Sequence, residues 1–166
     1  NEVVPASELS YIFGNPPFIG ARVMSKEQKA EVKEVFGNIK QVENFDYVCA
    51  WYKKASELME ANRLIKTSFV STNSISQGEQ VSILWKPLME KGFHINFAYR
   101  TFIWSNEAKN NAAVYCVIVG FSFDNKCKFI HDRIDDEDIF MPASNINGYL
   151  KNGKDIFVES RNKPLC

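Results

Sequence analysis

Ser10-Tyr11-Ile12-Phe13-Gly14-Asn15-Pro16-Pro17-Phe18 is an apolar run that stops in two consecutive prolines. The run predicts a short strand over residues 10–14. Proline fixes φ and carries no N–H, and the residue before a proline is pushed to extended geometry, which suits a strand that ends at Asn15. The side-chain carbonyl of Asn15 and the backbone carbonyl of Pro16 are thereby left as acceptors with no proline N–H competing for them. Asn-Pro and Pro-Pro also mark ordinary turns. The segments around the tetrapeptide decide between the two readings.

Downstream, a Lys- and Glu-rich pattern predicts a helix from Lys26 to Phe36. Residues 45–62 place Phe45, Val48, Cys49, Tyr52, Ala55, Leu58 and Met59 on one helical stripe closed by Asn62. Thr67 to Thr72 reads as a buried strand. Ser76-Gln77-Gly78-Glu79 opens a further helix, apolar at Val81, Leu84, Trp85 and Leu88 and ended by Gly92. Phe93 to Arg100 is the next strand, and Ala112 to Phe123 is long and apolar enough for an inner one. The order strand, helix, strand, helix, strand, strand describes the second half of a doubly wound α/β sheet that finishes in an antiparallel hairpin. Beyond Asp124 the pattern weakens. The acidic run Asp132, Asp135, Asp136, Glu137, Asp138 reads as solvated surface, and turn-rich residues follow to Gly153.

At 166 residues the chain suffices for one domain with a substantial core, and 45% hydrophobic content excludes a mostly disordered one. Basic and acidic residues number 20 each. That balance argues against a module that grips nucleic acid unaided, because neutralising phosphates favours a basic excess. Cys49, Cys116, Cys127 and Cys166 form no CxxC pair, and only His94 and His131 are available to join them, so neither a zinc nor a redox motif follows. Cys49 and Cys116 fall in apolar runs and read as buried thiols. A reduced, cytoplasmic setting is the default, with no signal peptide and no membrane-spanning run. Asn1 and Cys166 read as cut ends of a longer protein.

Three further stretches carry a resemblance. Phe69-Val70-Ser71-Thr72-Asn73-Ser74-Ile75 with Gln77-Gly78-Glu79-Gln80 is the first. Phe102-Ile103-Trp104-Ser105-Asn106-Glu107-Ala108-Lys109 with Asn111-Ala112-Ala113-Val114 is the second. The tail Asn145-Ile146-Asn147, Tyr149-Leu150, Val158-Glu159-Ser160-Arg161 and Lys163-Pro164-Leu165 is the third. Together with Asn-Pro-Pro-Phe they resemble the adenine-N6 DNA methyltransferase domain of large single-chain type II restriction-modification enzymes. The resemblance implies the Rossmann-like class I methyltransferase fold, whose seventh strand runs antiparallel between the fifth and sixth. It implies residues 1–124 as the catalytic half of that domain, and 125–166 as an extension and bridge toward a target-recognition domain.

It also implies roles. The adenine amino nitrogen is planar and a poor nucleophile. Asn15 and Pro16 would accept its two N–H bonds, freeing the lone pair for the sulfonium methyl of S-adenosylmethionine, and Pro17 would hold the loop. Phe18 would offer a face to the base, which has to leave the duplex stack to be reached. Trp104 or Phe102, in the loop between the last two strands, would help sandwich the base, although Trp104 also fits a packing role. Lys109 would touch a phosphate, or else is simply solvated. Asn15, Asp46 and Tyr47 would lie at the cofactor's edge, against helix-cap and core alternatives for the last two.

One departure matters: the eight glycines form no GxG, so the glycine-rich cofactor turn and its acidic partner are not in this chain. The implied partner is double-stranded DNA, held through the full-length parent. The edge of strand 10–14, lacking its neighbour, is expected to self-associate non-biologically. Asn-Pro-Pro-Phe is shared with protein-glutamine and ribosomal-RNA guanine methyltransferases, which remain alternatives beside a non-catalytic interaction module.

Overall fold

The computed structural model describes residues 4–37, 39, 42–104, 114–135 and 137–158. They form a six-stranded mixed sheet with helices packed against one face. Strand β1 (Tyr11–Gly14) leads through helix α1 (Lys26–Phe36) and helix α2 (Cys49–Ala61) to strand β2 (Lys66–Thr72). Helix α3 (78–90) precedes strands β3 (His94–Trp104), β4 (Val114–Ser122), β5 (Lys128–Ile134) and β6 (Glu137–Ala143). The spatial order is β1-β2-β4-β3-β5-β6. β1 and β2 are parallel, as are β3 and β5, while β4 runs antiparallel between β2 and β3. This is the inserted antiparallel strand that the resemblance implies.

The core lies between the sheet and α2 and α3. Alternation along β2 buries Thr67, Phe69 and Ser71 on the helix side. There Tyr52 stacks on Phe121 at 5.4 Å and meets Phe69 and Trp85 edge-on, and its hydroxyl bonds Ser71 Oγ at 2.8 Å. Burying an aromatic ring and satisfying its polar tip within the same contact is what a Tyr needs in a core. The Trp85 indole donates to the Ile75 carbonyl at 3.0 Å, fixing the turn between β2 and α3.

Local chemistry accounts for the helix ends. Ser25 and Gln28 form a reciprocal capping box at α1, whose bounds match the sequence reading, and Gly37 closes it at φ 69°. α2 begins at Cys49 rather than at residue 45, because the backbone of 46–47 is engaged elsewhere. Leu58, placed on the buried stripe by spacing, is exposed, and Ser56 is buried in its stead with Oγ on the Lys53 carbonyl at 2.7 Å. α3 contains a π turn over Val81–Trp85. Pro87 sits in the next turn and donates no N–H, which breaks the regular ladder there.

Two findings lie outside the sequence reading. β3 extends to Trp104, four residues past Arg100, with β-bulges between Ile95 and Phe97 and between Tyr99 and Phe102. The stretch beyond Asp124 adds the β5–β6 hairpin, turned at Asp135 (φ 50°), and part of the acidic run lies in it. Asp132 takes a bidentate bond from Arg100, and Asp138 pairs with His131 Nε2 at 2.9 Å. Residues 145–153 then clasp α3. Asn147 accepts from the N–H groups of Tyr149 and Lys151 and donates to the Lys154 carbonyl. Gly148 lies so close to Val81 and Trp85 that a Cβ would sit 2.7 Å from Val81 Cγ1. No helix among the described residues is long and apolar enough to cross a membrane.

Candidate active site

β1, β2, β3 and β5 share one direction, so the C-terminal ends of the first three open on the same edge of the sheet. In open α/β sheets, ligands bind outside that edge. The Asn-Pro-Pro-Phe loop leaves β1 there. Pro16 is buried, Phe18 half-buried, and Asn15 and Pro17 exposed. No hydrogen bond joins the Asn15 side chain to a described residue, so its carbonyl is available to a ligand. β1 pairs only with β2 among the described residues, and its outward side chains are open, Phe13 at 82% exposure.

Phe102 and Trp104 stand on β3 itself, paired with Cys116 and Val114 of β4, and not in the loop that follows. Thr72, Cys116 and Phe102 form one cross-strand row. The Phe102 and Trp104 rings are 6.4 Å apart, Phe102 half-buried and Trp104 exposed. Two strands separate them from β1. Three strand spacings set the gap at roughly 14 Å, wide enough for a flat base between the Asn15 loop and this aromatic pair. Lys109 lies outside the described residues.

Asp46 and Tyr47 do different things. Asp46 is 9% exposed, and its carboxylate is surrounded by donors. Oδ1 accepts from the Ala21 N–H at 3.0 Å, and Oδ2 from Thr72 Oγ1 at 3.3 Å and from Ser74 Oγ. Its own N–H reaches Gln80 Oε1 at 3.5 Å, and Gln80 Oε1 also lies 3.5 Å from Cys49 Sγ. Burial first, and then the Asp46 charge, push the Cys49 thiol far up, so it stays protonated. The Tyr47 N–H donates to the Ile19 carbonyl at 2.9 Å, but its phenol turns to Glu31, whose carboxylate holds it above its ordinary range. Of the three residues named for the cofactor's edge, Asn15 is the one whose side chain bonds to none of the described residues. An open cleft of about 790 Å³ lies here, lined by Asp46 itself and by residues that include Arg22, Lys29, Ser74, Gln77 and Glu79.

The sequence reading missed this Asp46 junction as a unit. Thr72, Ser74 and Gln80 stood in quoted motifs, but their partner is 26 to 34 positions away. Among the described residues, no group of His, Cys, Asp or Glu is arranged to hold a metal ion.

Parallel strand ends carrying a proline-locked loop, with the antiparallel strand β4 inserted between β2 and β3, define an α/β methyltransferase sheet. The model of the MmeI DNA-methyltransferase domain matches residues 1–132, and the chain belongs to that family. It is 45% identical to DNA methyltransferase A of Bacillus subtilis (strain 168) over 167 aligned residues, 99% of this chain and 18% of that protein. A solved structure of the type IIL restriction-modification enzyme MmeI in complex with DNA superposes with a TM-score of 0.91 at 44% identity, over 98% of this chain and 22% of that one. The chain thus spans about a fifth of the length of these relatives.

Proposed function

We propose that this chain supplies the methyl-accepting half of an S-adenosylmethionine-dependent enzyme that methylates the N6 amino group of adenine in double-stranded DNA. The observation that carries the reading is Asn15-Pro16-Pro17-Phe18 at the exit of β1, its Asn side chain unpartnered, in a chain of the MmeI DNA-methyltransferase family.

The residues present fit one end of the cofactor. Exposed Asn15 and the Pro16 carbonyl, in the loop at the exit of β1, would meet the amine at the methyl end, whereas the chain has no glycine-rich turn for the adenosyl end. When bound, the cofactor supplies an electrophilic methyl group. The chain's own groups do the rest. Asn15 and the Pro16 carbonyl accept the two amine N–H bonds and draw the nitrogen toward tetrahedral geometry. Phe18 lies along the base plane, and Phe102 or Trp104 closes the opposite side. As the N–CH3 bond formed the S–CH3 bond would break, a neutral thioether would leave, and the nitrogen would turn cationic. Acceptors already in place would stabilise that charge without reorganising, and the surplus N–H proton would pass to water. Positioning contributes the remainder, and no strong general base is required. The zero net charge of the chain leaves most of the grip on DNA to the rest of the protein.

The test is the product. The full-length protein is incubated with S-adenosylmethionine and mixed-sequence duplex DNA, which is then digested to nucleosides and analysed by mass spectrometry. N6-methyladenosine is the expected product. N4-methylcytosine alone, or no methylated nucleoside across duplexes that together cover all short sites, overturns the reading.

A further inference from the structure

We propose that Asp46 is a positioning residue: it fixes the Asn-Pro-Pro-Phe loop against the end of β2 through hydrogen bonds and does not itself touch cofactor or base. The proposal rests on the methyl-transfer reading for its kinetic consequence, though not for its geometry.

Between Gly14 and Ser25 the chain has no helix or strand to hold it. Two consecutive residues outside the loop provide its long-range backbone ties: the Ala21 N–H donates to Asp46 Oδ1 at 3.0 Å and the Ile19 carbonyl accepts from the Tyr47 N–H at 2.9 Å. Within the loop, the Val23 N–H closes a turn on the Gly20 carbonyl at 3.0 Å. The other carboxylate oxygen of Asp46 accepts from Thr72 and Ser74, whose hydroxyls are themselves 2.8 Å apart at the exit of β2. A single buried group thus joins the acceptor loop of one strand to the end of the next. A carboxylate suits the task, since three donors converge on it and it is an acceptor on both oxygens. With its oxygens so occupied and the residue 9% exposed, little of Asp46 is left for a ligand.

The geometry also foretells which substitution is tolerated. Asn keeps an oxygen for Ala21 and presents an amide N–H₂ to two hydroxyls that rotate to accept it, so the junction survives loss of charge. Ala removes all three bonds and leaves the Tyr47 N–H on the Ile19 carbonyl to hold the loop, which loosens.

The experiment uses the full-length protein with D46A, D46N and S74A. Two readouts are taken: methyl-transfer kinetics with separate kcat and KM for the methyl donor, and amide hydrogen exchange by mass spectrometry over residues 15–24. D46A is expected to lower kcat on the order of 10²-fold, the effect of roughly an ångström of misplacement. The methyl-donor KM should stay within about threefold, the pattern of an interaction lost in the transition state. D46N restores most of kcat. Exchange over 15–24 accelerates in D46A, stays near wild type in D46N, and rises partway in S74A, whose kcat falls in the same direction. A loss confined to the methyl-donor KM makes Asp46 a cofactor ligand and overturns the proposal, as does unchanged exchange over 15–24 in D46A. Should D46A fail to fold, wild-type exchange and kcat in S74A overturn it. Absence of methylation by the wild-type protein defeats the functional reading alone, because the exchange arm still decides whether Asp46 holds the loop.

Discussion

Asn15→Ala separates chemistry from folding more cleanly than any other change in the chain. The side chain is exposed and bonds to no described residue, and alanine before a proline keeps the extended backbone. Surface changes of that kind usually alter stability by no more than about 0.5 kcal/mol. The catalytic effect is far larger. On the proposed mechanism Asn15 would be one of two acceptors at a developing charge, and removing a single preorganised group of this type typically lowers kcat by about 10²–10³, or about 2.7–4 kcal/mol. The gap between the two magnitudes makes the test sharp. Single-turnover transfer of a radiolabelled methyl group by the full-length protein gives the rate, and a thermal melt gives the stability. The expected outcome is a rate down by about 10²–10³ with the melting midpoint held. Asn15→Asp, which keeps an acceptor in place, should fall less. A rate within about tenfold of wild type, a barrier change under 1.4 kcal/mol, refutes the role of Asn15.

Other outcomes follow from single contacts. Replacing whichever of Phe102 and Trp104 stacks on the base by alanine should cost about 1–3 kcal/mol of binding to target duplex, and much less with an abasic target position; equal losses on both DNAs remove the pair from the base site. Gly148→Ala places a methyl 2.7 Å from Val81 Cγ1 and 3.0 Å from Trp85 Cβ, so a destabilisation of about 1–3 kcal/mol is expected from chemical denaturation. In the folded chain a maleimide should modify exposed Cys127 at neutral pH while buried Cys49 and Cys116, both with thiols pushed up by burial, react only after unfolding, as peptide mapping would show. Burial, with Lys128 next in effect, holds His94 below its ordinary 6.5. The unfolded chain therefore takes up that proton first, and stability should decline as pH falls below about 6.5, a slope that His94→Gln flattens in a denaturation series.

The elements legible in the sequence are those whose side chains meet one environment at a time. α1 announces itself through its Lys- and Glu-rich pattern from Lys26 to Phe36, a local signal, and the structure adds the Ser25–Gln28 capping box that fixes its start. β4 announces itself through a long buried run of the kind inner strands carry. The β5–β6 hairpin was hidden because its residues serve two environments. Ile130 and Lys128 are buried on one face, His131 is buried with its ring 3.9 Å from Tyr99, and the neighbouring carboxylates make the stretch look solvated. The end of β1 at the Asn15 loop is legible from the prolines, whose geometry is intrinsic, but four residues alone read equally as a turn and only the segments around them favour a site. The Asp46 junction was not legible, since its meaning lies in donors brought from Ala21, Thr72 and Ser74 by the fold.

The acidic run illustrates how such long-range contacts reach the site. The bulge between Tyr99 and Phe102 inserts one residue into β3 relative to β4, so Phe102 falls in the same row as Thr72 and Cys116, on the face that carries Tyr99. Without that extra residue Thr101 would occupy the row, and the aromatic ring would turn to the other side, because a one-residue slip inverts every side chain of a strand. Arg100 lies in the bulge, and the bidentate bond from its guanidinium to Asp132 of β5 ties the bulged backbone to a strand well away from Asn15. Bidentate Arg–carboxylate pairs fix orientation as well as contributing energy. Asp132, part of a charge run that reads as plain surface, therefore helps set which face of β3 offers its aromatic ring at the end of the sheet where the Asn15 loop emerges.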